Sequence, residues 1–321
     1  MKNLPRAFTW LVTAAFCLPT LAADLPPERE AALQLQLFLD KEGFSPGPID
    51  GKFGNFTQKA VQRWQKAGRQ PALELDPKAD LSAAMLPDGL KSDEALTTYT
   101  ITEDDAKTVG ELADDPSTQA KQENLPYTSV LEAVAEKFHA YPSLIEELNP
   151  DTDFSAGTKI TVPNVSTPFD LSQAKELSKD GLDDKSGDLH IKVLRSEEIV
   201  EVFDGDKLIH SFPTTVGESG NKTPAGEFKV DVVQWMPEFR YDSQMLEQGE
   251  RSSNSHMLPP GPNNPVGIIW MGISSDGIGL HGTSSPDTIG RSKSHGCIRL
   301  TNWDALKLGQ KVKPGVTVEI Q

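Results

Sequence analysis

The chain is poor in cysteine: its 321 residues contain only Cys17 and Cys297. A framework of disulfides, the usual support of small secreted domains, is therefore excluded. Basic charge is also scarce. Thirty-one Lys and Arg stand against 47 Asp and Glu, for a formal net charge of −16. Such a surface cannot neutralise phosphates, so neither nucleic acid nor anionic lipid is an expected partner. Long apolar runs are missing too. The one sustained run, residues 7–17, is too short to span a bilayer. It follows Lys2 and Arg6 and precedes Leu21-Ala22-Ala23, small residues suited to cleavage. Residues 1–23 therefore read as a signal peptide, and the protein as exported to the periplasm or cell wall with no membrane span. Phe16, bulky where a lipid-anchor cysteine has a small neighbour, argues against lipidation of Cys17.

With that segment removed, Cys297 is the only thiol left. An unpaired thiol in an oxidising compartment is a liability unless its reactivity is used. It lies in the run S-H-G-C-I-R-L, residues 294–300, with His295 two residues before it and His281 sixteen before it. The economical reading is a catalytic nucleophile. A thiol of pKa about 8.5 needs a base or a lowered pKa to act near neutrality. A zinc site on His281, His295 and Cys297 lacks a fourth ligand and the usual spacing, so no metal or other cofactor is expected.

The acidity is uneven. Residues 24–187 carry 30 acidic and 16 basic side chains; residues 188–321 carry 17 and 13. Patterning divides the chain into three modules and two linkers. In residues 28–68, Pro26-Pro27 opens a helix and Gly43 closes it, although Leu33, Leu35, Leu37 and Leu39 alternate as in a strand. A Gly/Pro turn follows at 44–54. Asn55, with Gln58, is placed to cap a second helix that carries Ala60, Val61 and Trp64 on one face and ends at Gly68. Residues 70–97 read as a linker. From 98 to 164 the expected order is strand, helix capped by Ser129 with Glu132, helix opened by Pro142, and strand, with about twenty polar residues inserted after the first strand. A second linker covers 166–187. From 188 the chain turns to strands, at 189–194, 199–203, 208–216, 227–235, 266–273, 278–281 and 317–320. Asp204-Gly205 makes a hairpin turn, and one late helix is capped by Thr301. The stretch 236–263 is too long for an idle turn and reads as a lid over the site, with Phe239 and Tyr241 as aromatic surface.

Three resemblances follow from these motifs. Gly43, Pro46-Gly47-Pro48, Ile49-Asp50-Gly51, Phe53-Gly54, Thr57 and Trp64-Gln65 resemble the small three-helix peptidoglycan-binding domain. The βααβ order over 98–164, with A-E-K-F, L-I-E-E-L-N-P and S-A-G-T-K-I-T-V-P, is similar to a LysM domain, a family that binds N-acetylglucosamine-type glycans. H-G-T at 281–283 and S-H-G-C-I-R-L at 294–300 resemble the mainly β catalytic domain of L,D-transpeptidases. T-P-A-G-E-F at 223–228 and P-G-P-N-N-P-V-G at 260–267 support that likeness. It implies a multidomain wall enzyme. Cys297 would be its nucleophile and His281 its base, oriented by the Gly282 carbonyl. The loop of His295, Gly296 and Cys297 would form the oxyanion hole, and Arg299 and Ser294 would meet substrate. The implied reaction is acyl transfer from a tetrapeptide stem, with release of D-alanine, to the amine of a second stem. Water, or the lysine of a lipoprotein, is an alternative acceptor, and a non-catalytic wall-binding protein is the alternative from another class.

Overall fold

The computed structural model describes residues 25–70, 86, 94–180, 188–217, 223–248, 250–292 and 294–321. The expected signal peptide and most of the first linker lie outside the described residues. Helix α1, Pro27–Lys41, starts with Pro at its first turn and ends before Gly43, whose φ of +84° only glycine adopts easily. Its leucine alternation has a physical reason. At 100° per residue, positions two apart lie on nearly opposite sides of a helix. Leu33 and Leu37 enter a core shared with the middle module, and Leu35 and Leu39 enter another shared with Trp64 and with Leu208 of the catalytic module. Both faces of α1 are buried because it lies between two bodies.

Helix α2, Asn55–Lys66, begins one residue earlier than expected: Gly54 occupies the cap position and Asn55 is already helical, with no side-chain cap. The described residues of this module thus form two helices rather than three. Strand β1, Leu96–Thr100, pairs antiparallel with β2, Lys159–Pro163. Between them lie the short helices α3, Glu103–Lys107, and α4, Pro116–Gln119, followed by α5, Val130–Lys137, and α6, Pro142–Leu148. Ser129 caps α5 by accepting from the Glu132 amide at 3.1 Å, while the Glu132 carboxylate takes Thr128 instead. The stretch 166–187 is not wholly linker. Helix α7, Leu171–Asp180, places Ala174 in the catalytic core beside Phe169.

The catalytic module is an eight-stranded sheet. Its strands are β3, Leu189–Leu194; β4, Ile199–Asp204; β5, Lys207–Pro213; β6, Gly226–Trp235; β9, Ile269–Ile273; β10, Gly279–His281; β11, Ile298–Arg299; and β12, Thr317–Ile320. The order is β11-β10-β9-β6-β12-β3-β4-β5. β10–β11 and β12–β3 are parallel and the other pairings antiparallel. Beyond β5 the chain returns to β11, where Thr215 and Arg299 exchange backbone hydrogen bonds of 3.0 and 2.9 Å. The strand after the cysteine is therefore hydrogen-bonded on both sides. Helix α9, Asn302–Gly309, is capped by Thr301, which accepts from the Asp304 amide at 3.2 Å. It buries Trp303, Ala305 and Leu308 in the same core as Val202, Phe212, Met271, Leu280 and Ile298.

Candidate active site

Strand alternation builds the site. In β11 and its flanks, Ile298 and Leu300 are fully buried in the core, so Cys297 and Arg299 project from the opposite face. The β10–β11 register sets His281 beside Arg299, the β9–β10 register sets Trp270 opposite His281, and the β6–β9 register sets Gln234 opposite Trp270. Gln234, Trp270, His281 and Arg299 thus form one row across four strands. All four line a cavity of about 440 Å³ together with Cys297. Ser294 and His295, both expected at the site, line it as well.

His281 is 3 % exposed. Its Nδ1 lies 2.6 Å from the Gly282 carbonyl oxygen, an atom that can only accept. Nδ1 therefore carries the proton, and the Nε2 lone pair is left for chemistry. Burial pushes the imidazole pKa down to about 4; the Gly282 hydrogen bond opposes this and Arg299 adds to it. The ring is thus neutral near pH 7, as a base requires. Burial also raises the Cys297 thiol, although a hydrogen bond with the Gly279 backbone and the Arg299 charge pull the other way. Both shifts favour a neutral thiol and a neutral imidazole near pH 7. The thiol itself is half-buried, and its Sγ lies 3.5 Å from the Gly277 carbonyl oxygen.

Trp270 was not legible as a site residue. Its indole stacks on His281 with centroids 5.6 Å apart and planes 24° from parallel. The ring has room because Gly272 and Gly279 lie under it: a Cβ at either would come within 2.9 Å of the indole. Asn302 was missed as well. A Cβ on Gly282 would meet its Oδ1 at 2.2 Å, and one on Gly267 at 2.1 Å, so two glycines let this amide wedge against the turn that carries His281. Oδ1 also accepts from the Ile268 amide at 3.2 Å.

The cysteine loop is tied internally. The Ser294 hydroxyl donates to the Cys297 carbonyl at 2.6 Å and accepts from the Gly296 amide at 3.1 Å. Thr223, from the T-P-A-G-E-F run, donates to the Gly296 carbonyl at 2.7 Å. The Ser294 hydroxyl and the Gly296 amide are thus both engaged within the loop, and Gly296 supplies the φ of +128° that turns it. The Cys297 amide, by contrast, donates to no described residue. The Arg299 guanidinium, half-buried, makes no hydrogen bond or ion pair with a described residue and is an unspent cation in the cavity.

Residues 236–263 form the facing wall. Strands β7, Phe239–Tyr241, and β8, His256–Leu258, pair as a hairpin around α8, Ser243–Gln248. Phe239, Tyr241, Met245 and Leu246 line the cavity. Asp242, 1 % exposed, knots this wall. It accepts from the Ser252 amide and hydroxyl at 2.8 Å each, from Arg240 at 2.7 Å and from the Met245 amide at 3.2 Å. These bonds, led by the Ser252 amide, hold its carboxyl well below the usual range.

Residues 188–320 match the L,D-transpeptidase catalytic domain family, and residues 28–72 match the peptidoglycan-binding domain family. A Bacillus licheniformis protein named as an L,D-transpeptidase, YkuD, is 28 % identical over 193 residues, which is 59 % of this chain and 92 % of the relative. An Escherichia coli protein named as an L,D-transpeptidase, ErfK/SrfK, is 32 % identical over 117 residues, 35 % of this chain and 37 % of that one. A solved L,D-transpeptidase from Mycobacterium smegmatis aligns over 42 % of this chain and 58 % of its own, at 18 % identity and a TM-score of 0.34.

Proposed function

We propose that this chain, an enzyme with an L,D-transpeptidase catalytic domain and a peptidoglycan-binding domain, acts outside the cytoplasm to form 3→3 cross-links between peptidoglycan stems. The observation that carries this reading is the single cavity onto which one sheet face presents a thiol, a neutral imidazole with its Nε2 free, and an unpaired guanidinium.

Arg299 binds a carboxylate of the donor tetrapeptide and seats it against the lid wall. Cys297 Sγ passes its proton to His281 Nε2 and attacks the carbonyl carbon of the bond after the third residue. The tetrahedral oxyanion takes its hydrogen bond from the Cys297 amide. As the intermediate collapses, the C–N bond breaks. The departing D-alanine nitrogen takes the proton from His281, and a thioester remains on Cys297. The side-chain amine of a second stem then attacks the thioester carbon and gives its proton to His281. The C–S bond breaks, and the sulfur recovers that proton. The Gly282 carbonyl holds the ring through both halves and stabilises the transient imidazolium, a role that a carboxylate fills in serine triads. The middle module, with strands β1 and β2 around its helices, is read as LysM-like and wall-directed.

Purified protein incubated with tetrapeptide muropeptides should yield dimers with a 3→3 link and free D-alanine, detected by mass. Cys297→Ala should yield neither while still binding sacculi. Tripeptide without dimers would replace transfer by hydrolysis, transfer to a lipoprotein lysine would reassign the acceptor, and an active alanine variant would end the thioester mechanism.

A further inference from the structure

Glu136 is a carboxyl in an unexpected place. It lies near the end of α5 in the middle module and is 6 % exposed. No cation among the described residues pairs with it. A carboxyl buried in this way is costly for stability, and an apolar side chain would fill the same space at less cost. Its two partners are neutral donors. One is the Tyr127 hydroxyl of its own module. The other is the side chain of Asn302, the first residue of α9 in the catalytic module. Burial lifts the carboxyl to about 7, and the two hydrogen bonds oppose that rise. Carboxylate and acid alike offer an oxygen that accepts, so the link to Asn302 holds in either state.

The Asn302 amide is held in one orientation. The Ile268 N–H can only donate, so Oδ1 faces it at 3.2 Å; the Pro262 carbonyl can only accept, so Nδ2 faces it at 3.4 Å. Nδ2 has a second hydrogen, and Glu136 takes it. The middle module sets both of these acceptors. Glu136 belongs to it, and the segment of Pro262 is tied to it by Asn263, whose Nδ2 donates to the Pro126 carbonyl at 2.8 Å and to Glu132 at 2.9 Å. At its other end the amide reaches His281. Oδ1 fills the space that a Cβ on Gly282 would need. The Gly282 amide donates to the Ile269 carbonyl at 3.2 Å, and its own carbonyl holds His281 Nδ1 at 2.6 Å. A shift of Asn302 therefore moves the acceptor that fixes the imidazole, and small misplacements of a reacting group are expensive in rate.

We propose that Glu136, from the middle module, is a positioning residue for His281: it fixes the Asn302 amide, which holds the Gly282 turn and so the imidazole. The catalytic module does not orient this ring alone. The proposal rests on the reading of His281 as the base and adds the neighbouring module to its support.

The test uses the full-length protein, isotope-labelled at histidine. In the wild type the His281 Nδ1–H should give a downfield, slowly exchanging NMR signal. Glu136→Leu removes the acceptor at similar size. It should broaden or abolish that signal and lower the maximal rate of Cys297 acylation by a stem tetrapeptide about tenfold or more. The half-saturating tetrapeptide concentration should stay unchanged, because Arg299 and the facing wall are untouched. Glu136→Gln keeps an oxygen for Asn302 and should retain both signal and rate. Should Glu136→Leu not fold, Glu136→Met removes the same acceptor and carries the same expectation. Asp105→Ala breaks the ion pair with Lys137 in the same module without touching Asn302, and should leave the His281 signal as it is. A wild-type signal and rate in Glu136→Leu, equal losses in the Gln and Leu variants, or an equal loss in Asp105→Ala would each overturn the proposal. A wild type that shows the His281 signal but no acylation would count against the transpeptidase mechanism instead, and the signal would still report on Glu136.

Discussion

At the scale of single residues, the pair Cys297 and His281 is held neutral by burial. The sign has a kinetic consequence. A thiol whose pKa lies above its ordinary value is protonated at pH 7, and an imidazole at about 4 is unprotonated there. Proton transfer then accompanies attack instead of preceding it. Alkylation of Cys297 by iodoacetamide, followed by mass, should accelerate steadily from pH 6 to 9. A rate independent of pH below 7 would show a preformed thiolate–imidazolium pair and refute this. Cys297 and His281 were legible in the sequence as candidates because their motif is local. Trp270 and Asn302 were not, since their places depend on strand register and packing, with Gly279 beside the indole and Gly267 and Gly282 beside the amide leaving room for each side chain.

At the scale of elements, the wall facing the thiol is a hairpin knotted by one buried carboxylate. Asp242 gathers four donors from Arg240, Met245 and Ser252. Asp242→Ala leaves those donors unpaired and should loosen the wall that bears Phe239 and Tyr241. Donor kcat/KM is expected to fall about tenfold or more, as for loss of charge-assisted hydrogen bonds, while far-ultraviolet circular dichroism stays native. Unchanged donor kinetics would separate the wall from catalysis. The same hairpin is buttressed from behind. Leu125, which ends the inserted stretch of the middle module, exchanges backbone hydrogen bonds of 3.0 and 3.1 Å with Pro260 and Asn263. Gly261 permits this, since a Cβ there would stand 2.2 Å from the Leu125 carbonyl oxygen. The insertion, unexplained by its sequence, has a structural use.

At the scale of the whole molecule, the modules are packed together and not strung on linkers. Asp40 of the first module accepts from Lys307 of α9 at 2.7 Å and lies 3.1 Å from His139 Nδ1 of the middle module. His139 stacks flat on Trp303 at 5.3 Å. Burial alone would raise the Asp40 carboxyl, but Lys307 and His139 hold it well below its usual range. By linkage, a depressed carboxyl stabilises the fold above its unfolded pKa, and that contribution is lost as pH falls below about 4. Asp40→Ala strands a cation and a buried imidazole, and should cost about 3 kcal/mol near pH 7, with a smaller cost at pH 3. Calorimetry of the wild type should show one cooperative transition. Three separate transitions would mean that this junction does not couple the modules.

Local order in the sequence encodes seven of the eight strands of the large sheet, though not the two-residue β11, together with the cap at Thr301, the turn at Gly43, and Cys297 and His281 as candidates. Those follow from periodicity, backbone stereochemistry and short motifs, which act over a few residues. Tertiary structure alone decided which side chains meet across strands and modules. Strand register brings Gln234, Trp270, His281 and Arg299 into one row. Burial on two sides explains the leucines of α1, and packing turns half of an apparent linker into α7. Register and packing are contacts between distant segments, and no local spacing records them.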